Sequence, residues 1–411
     1  MQSYKRLKAA CYTANITMSI VGNISPILFL TFRTLYGTSY SLLGLLVLVN
    51  FFTQLCVDFI FSFFSHKFNI PAVVKTMPVV AVVGLGLYAL APVLFSNSVY
   101  LGLVIGTIIF SAASGLGEVL ISPVIAAIPA ENPDKEMSKL HAVYAWGVVG
   151  FVVVATVFLL ALGAQSWQWL AVLCALVPLV SAILYAGAEV PKMQTPEKTA
   201  GAVKFLKDKG VWLCFAGIFL GGASELIMAQ WASGYLEQAL GVPKVWGDIF
   251  GVALFAAALG MGRTLYAKIG KNAPRALLMG AIGATACYLI AALSPFAIVG
   301  LIGCACTGFC VSMLWPGSLI VASDKYPQGG VLIYALMAAG GDMGASVGPQ
   351  LVGVVTDVAM TKPSVGSLAV KLGLTAEQLG MKIGMLVGAL FPLVAIFVYL
   401  RLKKKNEKID G

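Results

Sequence analysis

Ser114-Gly115-Leu116-Gly117-Glu118-Val119-Leu120-Ile121-Ser122-Pro123 places one carboxylate inside an apolar run closed by a proline. Thr307-Gly308-Phe309-Cys310-Val311-Ser312-Met313-Leu314-Trp315-Pro316 repeats its small residue, glycine and proline at a constant offset of 193, from 115 to 308 and from 123 to 316. An offset of that length fits a chain built from two copies of one unit. Outward from both stretches the sequence stays apolar. Of 411 residues, 59% are hydrophobic and only 11% charged, with a mean hydropathy of +0.92. Soluble domains carry about 25% charged residues, so lipid must be the solvent of this chain.

A membrane-crossing helix needs ~20 apolar residues. Twelve runs come close to that length: 10–33, 40–63, 71–95, 99–127, 139–162, 168–187, 211–235, 246–268, 275–292, 296–322, 331–357 and 380–402. The expected fold is an all-α integral membrane protein of twelve transmembrane helices in two six-helix halves. The halves are 1–190 and 210–411, joined by a polar linker over 191–209. Two such halves around a midplane site are the repeat architecture of a secondary transporter. Most Lys and Arg fall on one side of this topology, including Lys5, Arg6 and Lys8, the lysines of the linker, and Arg401 to Lys408. The other side holds Arg33, Lys244, Lys362, Lys371 and Lys382. The positive-inside rule then puts both termini in the cytoplasm. The net charge of +10 needs no nucleic-acid partner, because the basic residues face anionic lipid. The basic start leads into a first span with no convincing cleavage site, so it reads as a span and not a signal peptide. The eight cysteines lie in apolar stretches without a CxxC pair and read as small apolar fillers.

Polar residues inside the spans recur at helical spacing. Asn15, Ser19 and Asn23 form one stripe, Asn50, Gln54 and Asp58 a second, and Ser111, Ser114, Glu118 and Ser122 a third. Gly217, Gly221 and Glu225 mark span seven, and Asp342, Ser346 and Gln350 mark span eleven. Such stripes either glue helices together or line a shared aqueous cavity. With three mid-span carboxylates among them, the cavity is the favoured reading. No Lys or Arg is expected at mid-span, so Glu118, Glu225 and Asp342 read as acids without a fixed cation. Burial favours their neutral form, which makes them candidate proton carriers. Asn23, Gln54, His141, Tyr144, Trp146, Glu225, Gln230, Trp231 and Trp315 are the candidate substrate contacts, amides and aromatic faces suited to a polyol. Trp167, Trp169 and Trp246 read as membrane-interface anchors. Asp58, Arg263 and Lys268 are candidate gating residues. No nucleophile motif, P-loop or metal-ligand cluster is present, so neither a catalytic nor a metal site is expected, and the proton is the only coupling partner.

The whole chain resembles the major facilitator superfamily. Arg263-x-x-x-x-Lys268-x-Gly270-Lys271 looks like a worn copy of that family's loop motif, and His66-Lys67-Phe68 is a more divergent one. Within the family, Ala113-Ser114-Gly115-Leu116 with Glu118 and Pro123 is similar to the fourth span of fucose permease and its proton-symporter relatives. Gly308-Phe309 with Ser312-Met313, Trp315-Pro316, Gly340-Gly341-Asp342, Gly344 and Gly348-Pro349 resemble their tenth and eleventh spans. Ser122 stands where those relatives favour Asn, and span one offers Asn23 in place of an acid. The resemblance implies proton coupling at Glu118 and a sugar-like solute moved through a central alternating-access cavity. The expected function is therefore proton-coupled symport of a neutral sugar or similar hydrophilic solute. An exporter of drugs or organic acids is the alternative, and a membrane sensor or membrane enzyme is the reading from another class. Short outer loops and the absence of usable glycosylation sites suit a bacterial cytoplasmic membrane, and a monomer is expected.

Overall fold

A computed structural model describes residues 3–64, 67–129, 133–191, 207–269, 272–326 and 330–407. Most of the linker lies outside these residues, as do Gly270 and Lys271 of the loop motif and the His141 side chain. All twelve expected runs fall on helices, and no strand occurs among the described residues. Nine helices there are long and apolar enough to cross a membrane, ten if a bent pair counts as one span.

The bends have local chemical causes. Span one is Ser3–Ile27 followed by Phe29–Tyr36, with an angle of 44° between them. Pro26 sits just before the break, and a proline inside a helix removes one backbone donor and crowds the preceding turn. Span ten runs as Ala297–Val311 and Leu314–Lys325 with a short interruption between them, and Pro316 is the third residue of the second piece. Span eight starts at Lys244 and passes through π-helical turns over Gly247–Ala253 before its α-helix, Leu254–Ile269. A helix the sequence did not suggest, Pro363–Lys371, lies between spans eleven and twelve. Span twelve begins with a capping box, in which Thr375 Oγ1 accepts from Gln378 N–H at 3.1 Å and Gln378 Oε1 from Thr375 N–H at 2.9 Å.

The chain forms two compact units, 1–38 with 49–199, and 39–48 with 200–411. Span two, Tyr40–Phe64, contributes to both. In the first unit, Gly84 of span three has no room for a side chain. A Cβ there would lie 2.5 Å from the Phe110 amide nitrogen of span four, Val99–Ala127. Trp167, expected at the interface, is instead fully buried. Its ring meets Phe32 edge-on at 5.1 Å, and its Nε1 donates to the Tyr36 hydroxyl at 3.0 Å. A tryptophan at a helix start can turn inward when a hydroxyl there satisfies its N–H. Trp169 and Trp246 are exposed, as an interface position requires. In the second unit, a Cβ on Gly344 of span eleven, Gly330–Met360, would run into the Phe219 carbonyl of span seven, Lys209–Leu240.

Candidate functional site

The stripe of span one is used for packing. Asn15 Nδ2 donates to the Leu140 carbonyl at 2.6 Å and Ser19 Oγ to the Tyr144 carbonyl at 2.8 Å, tying span one to span five, Pro133–Leu162. Asn23 Nδ2 turns back to its own helix, to the Ser19 carbonyl at 2.8 Å. Spans two and four share a second network. Asn50 Oδ1 accepts from Gln54 Nε2 at 2.8 Å and from Ser111 Oγ at 2.7 Å, and Gln54 Oε1 accepts from Ser114 Oγ at 3.1 Å. These buried groups are thus spent largely on one another, which is what helix association in lipid demands. The cavity reading of these stripes gives way to the glue reading for Asn15, Ser19, Asn50 and Ser111.

One helical turn beyond Gln54 and Ser114 the networks end in acids. The Asp58 and Glu118 carboxylate oxygens lie within 4.8 Å of each other, Asp58 half-buried and Glu118 exposed. Glu118 was expected to be buried and is exposed instead, one turn beyond Ser114 on the same helix face. Two carboxylates this close repel when both are ionised, so the pair is suited to hold one proton between them.

The second unit has a different arrangement around Glu225. Arg263 Nη2 donates to Glu225 Oε1 at 3.0 Å and to Oε2 at 3.2 Å. The expectation of an acid without a cation is therefore wrong for Glu225. The cause lies in span ten, where Pro316 has no N–H to give the Ser312 carbonyl four residues before it. Arg263 Nε takes that carbonyl at 3.1 Å, and the rest of its guanidinium then reaches Glu225. The signal in the sequence was Pro316 together with an arginine that follows nine apolar or small residues, Leu254 to Gly262, on span eight. Asp342 is buried at 3% exposure, and its backbone carbonyl accepts from Ser346 Oγ at 2.8 Å.

The aromatic candidates scatter. Trp231 is buried, its Nε1 donates to the Pro349 carbonyl at 3.0 Å, and its ring lies 5.8 Å from that of Tyr40. Gln230 beside it is also buried. The Trp315 ring fills the notch left by Gly341 and Gly222. Trp146, 73% exposed, lines an apolar groove of about 670 Å³ with Ile16, Gly150 and Leu173. Tyr144 and Lys268 are exposed. Two polar clusters were missed. Asp357 caps the start of span two, accepting from Tyr40 N–H at 3.2 Å and Ser41 N–H at 2.6 Å, while the Tyr40 hydroxyl donates to Glu377 at 2.8 Å. Asp248 is fully buried, held by Ser233 Oγ and by Lys244 Nζ at 3.1 Å. The i, i+4 spacing of Lys244 and Asp248 could have revealed the second cluster.

The family model of the Major Facilitator Superfamily matches residues 10–349. No curated protein sequence matches the chain. Among solved structures, a bacterial homolog of the human lysosomal transporter Spinster is 14% identical, with 98% of this chain and 97% of that one covered at a TM-score of 0.72. A D-xylose-proton symporter is 15% identical, with coverages of 95% and 97% and a TM-score of 0.71. The transporter FucP in an outward conformation is 15% identical, with coverages of 97% and 99% and a TM-score of 0.62. At these identities the likeness is one of fold.

Proposed function

Because this chain belongs to the Major Facilitator Superfamily, we propose that it is a secondary transporter that moves a neutral, sugar-like solute together with protons. The observation that carries proton coupling is the Asp58–Glu118 pair, two carboxylates within 4.8 Å on membrane-spanning helices. A proton shared by two such carboxylates relieves the repulsion they feel when both are ionised. A pair of this kind can load from the side with more protons and unload when alternating access wets it from the other. The D-xylose-proton symporter and FucP, both of the same fold, and the resemblance around Glu118 support a sugar-like solute. The protein acts as a monomer in the cytoplasmic membrane with both termini inside.

A second reading, export of an apolar solute or organic acid, is favoured by the groove at Trp146, which offers apolar surface and little else. The experiment separates the two. Purified protein in proteoliposomes is given a panel of neutral monosaccharides, and external pH and radiolabelled solute are followed together. Solute addition should alkalinise the outside. Glu118→Gln keeps the size of the neutral acid but cannot titrate, so it should retain counterflow and lose accumulation driven by a proton gradient. Full accumulation by Glu118→Gln removes Glu118 as the carrier. Proton movement with apolar weak acids alone, and with no sugar, establishes the exporter instead.

A further inference from the structure

Spans nine and ten pack at backbone distance. A Cβ on Gly280 of span nine, Ala273–Leu293, would lie 2.5 Å from the Cys310 carbonyl oxygen of span ten, and one on Gly303 would lie 3.0 Å from the Cys287 carbonyl oxygen. Across this seam the Cys287 and Cys310 sulfurs face each other at 3.9 Å. The Cys310 sulfur fills the gap over Gly283, 2.8 Å from where a Cβ would stand. We propose that Cys287 and Cys310 are a redox-active pair, joined by a disulfide when a membrane-permeant two-electron oxidant reaches the folded protein.

The geometry favours this pair over the other thiols. A disulfide is about 2.05 Å long, so the sulfurs must close by roughly 2 Å, which side-chain rotation can supply while the glycine seam holds the helices together. Both cysteines are partly exposed, whereas Cys11, Cys174, Cys214 and Cys304 are buried. Cys306 is exposed and lies one turn before Cys310 on span ten, so it is the competing partner for Cys287 that the test must exclude. With a diazenedicarboxamide as oxidant, one thiol loses its proton and adds through sulfur to the N=N bond. The second sulfur then attacks the first, forming S–S and breaking S–N. The hydrazine leaves with the two protons and two electrons the thiols gave up. The closed bond would fix Cys310 to span nine two residues ahead of Ser312, whose carbonyl holds Arg263 at 3.1 Å. Oxidation therefore restrains the break that orients the Arg263–Glu225 pair.

The test needs no knowledge of the solute. Full-length protein in phospholipid vesicles is treated with the diazenedicarboxamide, denatured, alkylated and digested. Two of the eight thiols should be lost, as one linked Cys287–Cys310 peptide, and dithiothreitol should restore both. Cys287→Ser and Cys310→Ser should each keep every remaining thiol. Retention of all eight thiols in the folded parent, or linkage of either cysteine to Cys304 or Cys306, overturns the proposal. Because this readout is covalent, its failure is distinct from any failure of the transport reading.

Discussion

Glu225 and Arg263 show how a single missing hydrogen sets a site. The proline at 316 leaves the Ser312 carbonyl open, the guanidinium binds it, and the carboxylate follows. Arg263→Ala leaves the Glu225 carboxylate, whose side chain is only 11% exposed, without its cation. Breaking a fully buried pair costs about 3–5 kcal/mol. The Arg263 side chain is 43% exposed, and solvent screening reduces the expected loss to about 1–3 kcal/mol. Thermal unfolding in detergent should fall accordingly for Arg263→Ala. Glu225→Gln, which removes the charge but can still accept from the guanidinium, should lose less. Equal unfolding temperatures for Arg263→Ala and the parent would show that the pair is incidental. Asn50 offers a neutral counterpart. Asn50→Ala strands both Gln54 Nε2 and Ser111 Oγ in a buried seam, at an expected cost of about 1–3 kcal/mol. A Ser111→Ala variant, which removes one donor and leaves Asn50 partnered by Gln54, should be milder in the same melt.

Helix pairs in this chain are spaced by glycine, and that spacing is open to direct test. Gly344→Ala pushes a methyl into the Phe219 carbonyl and should force spans seven and eleven apart, costing about 1–3 kcal/mol. Gly366→Ala, in the helix Pro363–Lys371 with nothing near its Cβ position, should be neutral or stabilise by about 0.5–1 kcal/mol. A Gly344→Ala protein that melts with the parent would mean the two helices can separate freely. At this scale much was legible in the sequence. Hydropathy is a local property, so every expected run falls on a helix, and Pro26 and Pro316 announce the breaks near them. Partners were not legible. The spacing of Asn15, Ser19 and Asn23 tells which face they share, but not that span five supplies carbonyls to that face. Trp167 illustrates the same limit, since its burial depends on Tyr36 and Phe32, which the chain brings to it from span one. The acids were legible as acids, whereas the pairing of Glu118 with Asp58 and of Glu225 with Arg263 required knowing which helices are neighbours.

The positive-inside rule predicts an orientation in the membrane, and contacts within each unit agree with alternating crossings. In the first unit Arg6 donates to the Ile183 and Leu184 carbonyls at 2.7 and 2.9 Å, so the start of span one and the end of span six share a side. That requires an even number of crossings between them. In the second unit Lys382, near the start of span twelve, donates to the Ala292 and Ser294 carbonyls at 3.2 and 3.0 Å, placing it beside the end of span nine. On the opposite face the Tyr326 phenol stays well above its ordinary pKa range through burial and through Asp208 beside it, where span ten ends and span seven starts. Within the second unit Lys209 starts span seven, Lys325 ends span ten and Arg401 lies near the end of span twelve, on one face, while Lys362, Lys371 and Lys382 lie toward the other. Each Lys or Arg near an anionic leaflet is worth ~1 kcal/mol, so the first face should be cytoplasmic. Alkaline phosphatase, which is active only outside, should be active when fused after Lys371 and inactive when fused after Glu407. A fluorescent protein that matures only inside should give the reverse pattern. Phosphatase activity at Glu407 with none at Lys371 would invert the molecule. It would then place the Asp248–Lys244 cluster, at the start of span eight, on the cytoplasmic side.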